Sequence, residues 1–303
     1  MVDQEGVSRR ARALAGALEP VAGQVYFSRE CHEAYAALGF SPSPTAAPAP
    51  AVAMPDGTAY FSSRGSILGD VPGEVVAAAF GVFNPAIVVP LVARGREIAT
   101  ADSLATARTG GATAQLVRIL GEEPEGVARA TELLARANAP LRPEGKPLFA
   151  GLVAAGLPGD PVGDAWRLAD RLREYRGDAH IAAWTAAELD GAEIGLLTEL
   201  YWGLSMRTYI RTRAWSAEEL DAAEARLEAR GLVASGEFTS AGRALREHVE
   251  VVTDRQCRPM VDALGDDLDQ LVAILRSWGA AILAAGGYPG AGPHDLAIRA
   301  GGG

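Results

Sequence analysis

The residues best suited to chemistry lie in the run Arg176-Gly177-Asp178-Ala179-His180. Gly177 is predicted to end one helix and Asp178 to cap the next, which places His180 in the first turn of that second helix. The positive end of a helix dipole disfavours imidazolium, so a neutral histidine able to accept a proton is expected. His180 and Asp178 are therefore candidate catalytic residues, and Arg176 is suited to binding a carboxylate or phosphate.

A structural interpretation of the same run stays open: Asp178 is only a cap, Arg176 is its ion partner, and His180 packs in the core.

Two further residues complete the predicted ligand-binding set with Arg176 and His180. Arg64 follows an aromatic pair and is expected to point into a cleft between two halves of the chain. Asn84 offers an amide, although Asn-Pro is also typical of a helix cap followed by the first helical residue.

Common catalytic and cofactor signatures are missing from the sequence. It contains no Gly-x-x-x-x-Gly-Lys, Gly-x-Gly-x-x-Gly, His-Glu-x-x-His or Gly-x-Ser-x-Gly. The four histidines never stand at metal-ligand spacing from one another, so neither a metal site nor a cofactor is predicted. Whether the protein is an enzyme is left open.

The composition restricts the partners and the compartment. The chain has 303 residues and a net charge of −10, which disfavours nucleic acid as a general partner. Its two cysteines, Cys31 and Cys257, belong to no motif, so a reduced cytoplasmic protein is expected. A signal peptide and an uncharged run of about 20 apolar residues are both absent from the sequence, so no membrane span is predicted.

The spacing of apolar residues predicts a mainly α, multi-helical fold. A Pro- and Gly-rich stretch at 139–161 indicates a boundary between an N-terminal helical domain (1–150) and a C-terminal winged-helix domain (151–285). The Pro-rich segment 41–57 reads as a flexible insertion and 286–303 as a disordered tail. Helices are expected at 8–19, 29–38, 72–83, 102–120, 124–138, 163–175, 179–189, 192–204, 216–230, 240–256 and 262–284, with another starting at Asn84-Pro85.

Two near-copies bracket the insertion, Tyr26-Phe27-Ser28-Arg29 before it and Tyr60-Phe61-Ser62-Ser63-Arg64 after it. The simpler interpretation is a pair of short strands that hydrogen-bond across the insertion. The alternative is two elements that line one pocket with aromatic rings and Arg64.

Residues 215–242 predict a winged helix-turn-helix module. Ser216 and Glu219 form a capping box at the start of a helix, and Gly231 is placed to end it. Short strands at 232–233 and 237–238 then form a two-stranded wing, and Thr239 or Ser240 caps the following helix. The phrases Leu-Glu-Ala-Arg-Gly-Leu-Val (227–233) and Phe-Thr-Ser-Ala-Gly-Arg-Ala-Leu (238–245) resemble the recognition helix and wing of MarR-type repressors.

The charges of this module argue against its usual role in DNA binding. The helix that would enter the groove carries five carboxylates and two arginines between 216 and 230. Since binding to duplex DNA depends on cations that displace counterions from phosphate, an acidic helix opposes it. A compensating rim of flanking arginines, which include Arg211, Arg213 and Arg243, is the opposing expectation. These three are candidate DNA contacts together with Arg226 and Arg230 of the helix itself.

Several phrases together resemble a family of actinobacterial proteins known only as helix-turn-helix family proteins. They are Val-Tyr-Phe-Ser (25–28), Ala-Tyr-Ala-Ala-Leu-Gly (34–39), Val-Pro-Gly-Glu-Val-Val-Ala-Ala-Ala-Phe (71–80), Phe-Asn-Pro-Ala (83–86), Leu-Arg-Glu-Tyr-Arg-Gly-Asp-Ala-His-Ile-Ala-Ala (172–183) and Ala-Gly-Arg-Ala-Leu-Arg-Glu-His-Val-Glu (241–250). The resemblance spans about residues 10 to 280 and implies a helix-turn-helix fold without implying catalytic residues.

Three interpretations follow. The first is a helix-turn-helix protein that binds an unidentified small molecule in an inter-domain pocket near His180, as a sensor, a sequestering protein or an enzyme. The second is a MarR-like DNA-binding regulator. The third is a protein-interaction module that uses the acidic helix as its surface. By analogy with MarR-type proteins, a homodimer is the default expectation.

Overall fold

The structure is a computed structural model that describes residues 4–43, 52–54 and 56–290. Its helices are α1 Gln4–Gly23, α2 Arg29–Ala37, α3 Gly57–Gly65, α4 Gly73–Phe80, α5 Pro85–Ile98, α6 Ala101–Leu120, α7 Val127–Asn138, α8 Pro147–Ala154, α9 Pro161–Ala186, α10 Gly191–Tyr201, α11 Ala217–Ala229, α12 Ser240–Gln256, α13 Arg258–Leu264 and α14 Leu268–Ala284. Strands β1 Val233–Ala234 and β2 Glu237–Phe238 pair antiparallel between α11 and α12. The predicted mainly α fold with a small two-stranded wing is therefore confirmed.

Helix α9 is the central element of the fold. Asp160 caps it by accepting a hydrogen bond from the Gly163 amide, and Pro161 occupies its first turn. The helix continues for 26 residues, about 39 Å at the usual rise per residue. It packs against α1, α6, α7, α8 and α12. The prediction that Gly177 ends one helix and Asp178 caps another is wrong, because α9 runs unbroken through both residues.

The largest apolar core joins distant parts of the chain. Leu14 of α1, Leu116 of α6, Leu134 of α7, Leu172 of α9 and Leu275 of α14 belong to it, and each is at most 2% exposed. Residues from both sides of position 150 thus share one core, and the division of the chain into two domains stays a prediction. Two smaller cores lie around the winged segment and between α3, α4 and α5.

The winged segment has the predicted local structure. Ser216 and Glu219 exchange the two hydrogen bonds of a capping box at the start of α11. Gly231 follows the helix at φ +66°, and Thr239 caps α12. Ser235 and Gly236, between the strands, both have positive φ, as the tight turn of a two-residue hairpin requires.

The aromatic near-copies that bracket the insertion are not strands. Tyr26 ends a short 3-10 turn (Gln24–Tyr26), and Tyr60 lies in α3, which Asp56 caps through the Ala59 amide. Hydrogen bonding at the helix start therefore outweighs the strand preference of Tyr60-Phe61. The two segments nevertheless meet, because the rings of Tyr26 and Tyr60 pack edge to face with centroids 5.3 Å apart.

The segments predicted as insertion and tail are described only in part. Residues 44–51, Pro55 and 291–303 lie outside the described residues. Tyr288, in the predicted tail, is 2% exposed and donates its hydroxyl to Glu19 Oε1 at 3.0 Å. Tyr288 is therefore packed against α1.

The shared core predicts cooperative unfolding. Leu14→Ala removes a fully buried side chain from the core that joins both halves, so we expect the free energy of unfolding to fall by about 2–5 kcal/mol. Chemical denaturation followed by circular dichroism should still show one transition. Leu157→Ala, at a position 46% exposed, is the matched control and should change stability by less than about 0.5 kcal/mol. Two separate transitions would instead support independent domains divided near residue 150.

Candidate functional site

A cavity of about 350 Å³ lies beside α9, where α1, α10 and α12 approach it. Arg64 of α3 and the short 3-10 turn Ile210–Arg213 complete its wall. Its volume falls within the range of about 300–1,000 Å³ that is typical of small-molecule sites. The cavity is therefore the candidate functional site of the described chain.

One face of α9 supplies much of the wall. Arg173, Arg176, Gly177 and His180 all line the cavity, and their spacing of i, i+3, i+4 and i+7 places them on the same side of the helix. Arg176 and His180 were predicted to be neighbours at a helix start. The structure brings them together for another reason. Because α9 continues through Gly177, Arg176 and His180 stand four residues apart on one helix.

A chain of ion pairs centred on the buried Glu174 lines the cavity. Glu174 accepts hydrogen bonds from Arg64 Nη2 and Arg173 Nη1, both at 3.0 Å, and from the Tyr26 hydroxyl at 3.0 Å. Arg173 also pairs with Glu19 of α1 at 2.9 Å. Burial alone would raise the pKa of Glu174, but the charges of Arg64 and Arg173 outweigh it and hold that pKa at about 2. Glu174 is thus a permanent anion that orients Arg64.

A second group of ion pairs joins α9 to α12. Arg176 bonds Asp254 at 2.7 Å and Glu250 at 2.9 Å, and Arg246 bonds Glu250 at 2.7 Å. Arg12 of α1 reaches the same Asp254 at 2.8 Å. Glu247 accepts a further bond from Arg12 and one from the Tyr201 hydroxyl. The expected ion pair between Arg176 and Asp178 is wrong, because Arg176 faces α12.

His180 lies beside this second group and is neutral near pH 7. Its Nδ1 is 3.2 Å from Thr253 Oγ1 and 3.9 Å from Glu250 Oε1. Desolvation lowers the pKa of His180 to about 4. The carboxylate of Glu250 favours the protonated form, but the charges of Arg246 and Arg176 oppose it. A neutral imidazole was predicted from a helix dipole, but its cause here is desolvation in mid-helix.

Asp178 and Asn84 do not line the cavity. Asp178 is 2% exposed and accepts a hydrogen bond from the Phe149 amide at 3.0 Å, so it caps α8 from a distance rather than the helix that contains it. Burial raises the pKa of Asp178 to about 7. Asn84 caps α5 through the Ala86 amide, as predicted, and donates to Glu219 of α11 at 2.7 Å. Both side chains therefore connect helices.

The five predicted DNA contacts have different surroundings. Arg226 pairs with Asp190 and Glu193, and Arg230 donates to the Glu188 carbonyl at 2.7 Å. Both thus hold α11 against the loop before α10. Arg213 lines the cavity instead of the wing. Arg211 and Arg243 are exposed, and neither forms an ion pair with the carboxylates of the described residues.

Sequence reasoning missed several residues of the cavity. Arg12, Arg173, Arg246 and Glu250 were not predicted as site residues. The signal for Arg173 was present in the sequence, since it stands three residues before Arg176 and seven before His180 on an uninterrupted helix. For Arg12 and Arg246 no local pattern exists, because their partners come from other helices.

The described residues contain no group of three or more His, Cys, Asp or Glu side chains placed to hold a metal ion. Among their helices, none combines the length and hydropathy needed to cross a membrane.

Comparison with known proteins places the chain in a family. The model of the Helix-turn-helix family matches residues 11–289, so the protein belongs to that family. The match covers both the winged segment and every element that lines the cavity. No curated protein and no solved structure matches the chain.

The pKa of His180 gives a pH dependence that can be measured. Between pH 6.5, its ordinary pKa, and about pH 4, the unfolded chain binds a proton here that the folded chain does not. His180 therefore lowers the free energy of unfolding as the pH falls through this range. Urea denaturation at several pH values should show a shallower decrease for His180→Gln than for the wild type.

The exposed His248 of α12 supplies the matched control. His248→Gln should keep the pH dependence of the wild type. Asp178 contributes with the opposite sign, since its pKa is raised, but it is present in every variant and cancels in the comparison. Equal slopes for the wild type and His180→Gln would contradict a lowered pKa of His180.

Proposed function

We propose that this member of the Helix-turn-helix family binds a small molecule in the cavity beside α9. The observation that carries the proposal is Gly177, which lines the cavity from the interior of α9. A glycine inside a helix costs about 0.5–1 kcal/mol relative to alanine. A Cβ added at Gly177 would meet only Glu174 Oε2, at 3.5 Å, so packing does not require the glycine. Its effect is to leave space in the cavity.

The character of the wall supports the same proposal. Apolar side chains such as Leu18, Ile194, Trp202 and Met260 line the cavity together with the arginines and His180. Small-molecule sites generally combine an apolar wall with a few fixed polar groups. Arg64, Arg176 and His180 are fixed polar groups of this kind, because each is held by a neighbouring side chain.

Filling the cavity tests the proposal. Phenylnaphthylamine, an uncharged dye that fluoresces in apolar surroundings, should gain fluorescence on titration with the wild type. Gly177→Phe places a ring in the cavity and should weaken dye binding by about tenfold or more, the loss of roughly 1.4 kcal/mol. Gly110→Phe is the matched control, since Gly110 is also helical but exposed, with no atom within 4 Å of an added Cβ. Equal dye binding by both variants would contradict the proposal.

DNA binding is the second candidate, because it is supported by membership in the Helix-turn-helix family and by the wing. Arg243 packs over the Phe238 ring of the wing, 5.1 Å from its centroid, and is exposed. Against this, α11 exposes Glu218, Asp221 and Glu228 on the helix that would enter the groove.

The charge of α11 predicts little affinity for duplex DNA. Fluorescence anisotropy of a labelled random duplex, titrated at roughly 50 mM and 200 mM salt, should show weak binding at both concentrations. Affinity that falls by orders of magnitude at the higher salt, and that weakens further in Arg243→Gln, would favour DNA binding instead. Thr212→Ala, an exposed neutral position near the same module, is the control that should change nothing.

A further inference from the structure

The charges that line the cavity do not balance. Six arginines line it: Arg12, Arg64, Arg173, Arg176, Arg213 and Arg246. Five of them are paired with an equal number of carboxylates, namely Glu19, Glu174, Glu247, Glu250 and Asp254. Among the described residues no carboxylate pairs with Arg213. Glu247 and Asp254 pair with the arginines from behind the lining residues. Since His180 is neutral near pH 7, the lining arginines and their carboxylate partners together carry one unbalanced positive charge, on Arg213.

Aromatic rings and a hydroxyl hold the Arg213 side chain in place. Its guanidinium carbon lies 4.4 Å from the centroid of the Tyr209 ring and 4.8 Å from that of Phe83. The rings contact the face of the guanidinium, which leaves its edge for hydrogen bonds. Of its five N–H donors, one bonds the Tyr209 hydroxyl and one bonds Thr212 Oγ1 at 3.3 Å. The remaining donors are available to a ligand.

The backbone around Arg213 is anchored independently of any ligand. The Asn84 amide donates to the Arg213 carbonyl at 3.0 Å, and the Asn84 side chain donates to the Ala214 carbonyl at 3.1 Å. Trp215 Nε1 bonds the Val82 carbonyl at 2.9 Å. These bonds fix the end of the 3-10 turn against the loop before α5. A cation held in this way loses little conformational freedom on binding an anion.

Two more donors in the lining residues have no partner. Arg64 Nε and Arg246 Nε are buried and form no hydrogen bond within the described chain. A buried donor without a partner is costly. The carboxylates of the wall, by contrast, already accept bonds from arginines, so they offer little to a cationic ligand.

We propose that the ligand of this cavity bears one negative charge, on a carboxylate, sulfonate or phosphodiester group, and that Arg213 binds that group. The rest of the ligand packs on the apolar wall. This inference rests on the proposed function, since it assigns a chemical class to the molecule that the cavity binds.

A pair of dyes separates the inference from the proposed function. Anilinonaphthalene sulfonate has the ring system of phenylnaphthylamine with an added sulfonate. We expect the wild type to bind the sulfonate dye at least about tenfold more tightly, because Arg213 adds a charge-assisted hydrogen bond that the neutral dye cannot accept. Arg213→Gln should abolish this preference, which is measured as the ratio of the two dye affinities within the same variant. Retained binding of the neutral dye also shows that Arg213→Gln is folded.

The neighbouring Arg211 supplies the matched control, since it is an exposed arginine on the same turn. Arg211→Gln should keep the preference for the sulfonate dye, as it removes the same charge from outside the cavity. If both dyes bind equally well and Gly177→Phe weakens both, the inference is overturned and the proposed function stands. If neither dye binds the wild type, or Gly177→Phe has no effect, the proposed function itself fails.

Discussion

The arginines of α9 can lie largely out of solvent only because carboxylates from other helices face them. Arg173 needs Glu19 of α1, and Arg176 needs Glu250 and Asp254 of α12. Leaving one member of a buried pair without its partner typically costs about 3–5 kcal/mol. The pairs therefore determine how α1 and α12 are placed against α9, in addition to the apolar core that the three helices share. Most other features of the cavity depend on that placement.

The same pairs give the cavity its polar lining, because their guanidinium and carboxylate groups are held in hydrogen-bond geometry beside it. Gly177 adds space at the same level of α9. The resulting cavity has two sets of oriented polar groups, with Glu174 central to one and Glu250 to the other.

The winged module of this chain uses its charges mainly within the molecule. Arg226 and Arg230 hold α11 against the loop before α10, and Asn84 connects the start of α11 to α5. A helix-turn-helix fold does not determine function, because the same scaffold serves both to contact DNA and to pack against other helices. Here the residues that would approach a phosphate backbone are largely acidic or already bonded.

The sequence by itself determined the parts of this protein whose causes are local. Residues within a few positions of one another form the capping box of Ser216 and Glu219, the left-handed Gly231, the turn of the wing and the Asn84 cap.

Only the tertiary structure decided that α9 continues through Gly177. The local cost of that glycine is about 1 kcal/mol, and burial of Leu172, Tyr175 and Ala179 along the helix outweighs it. It also decided the partners of Arg176 and the place of Arg213 in the cavity. Those depend on carboxylates and rings far away in sequence, which no local pattern specifies.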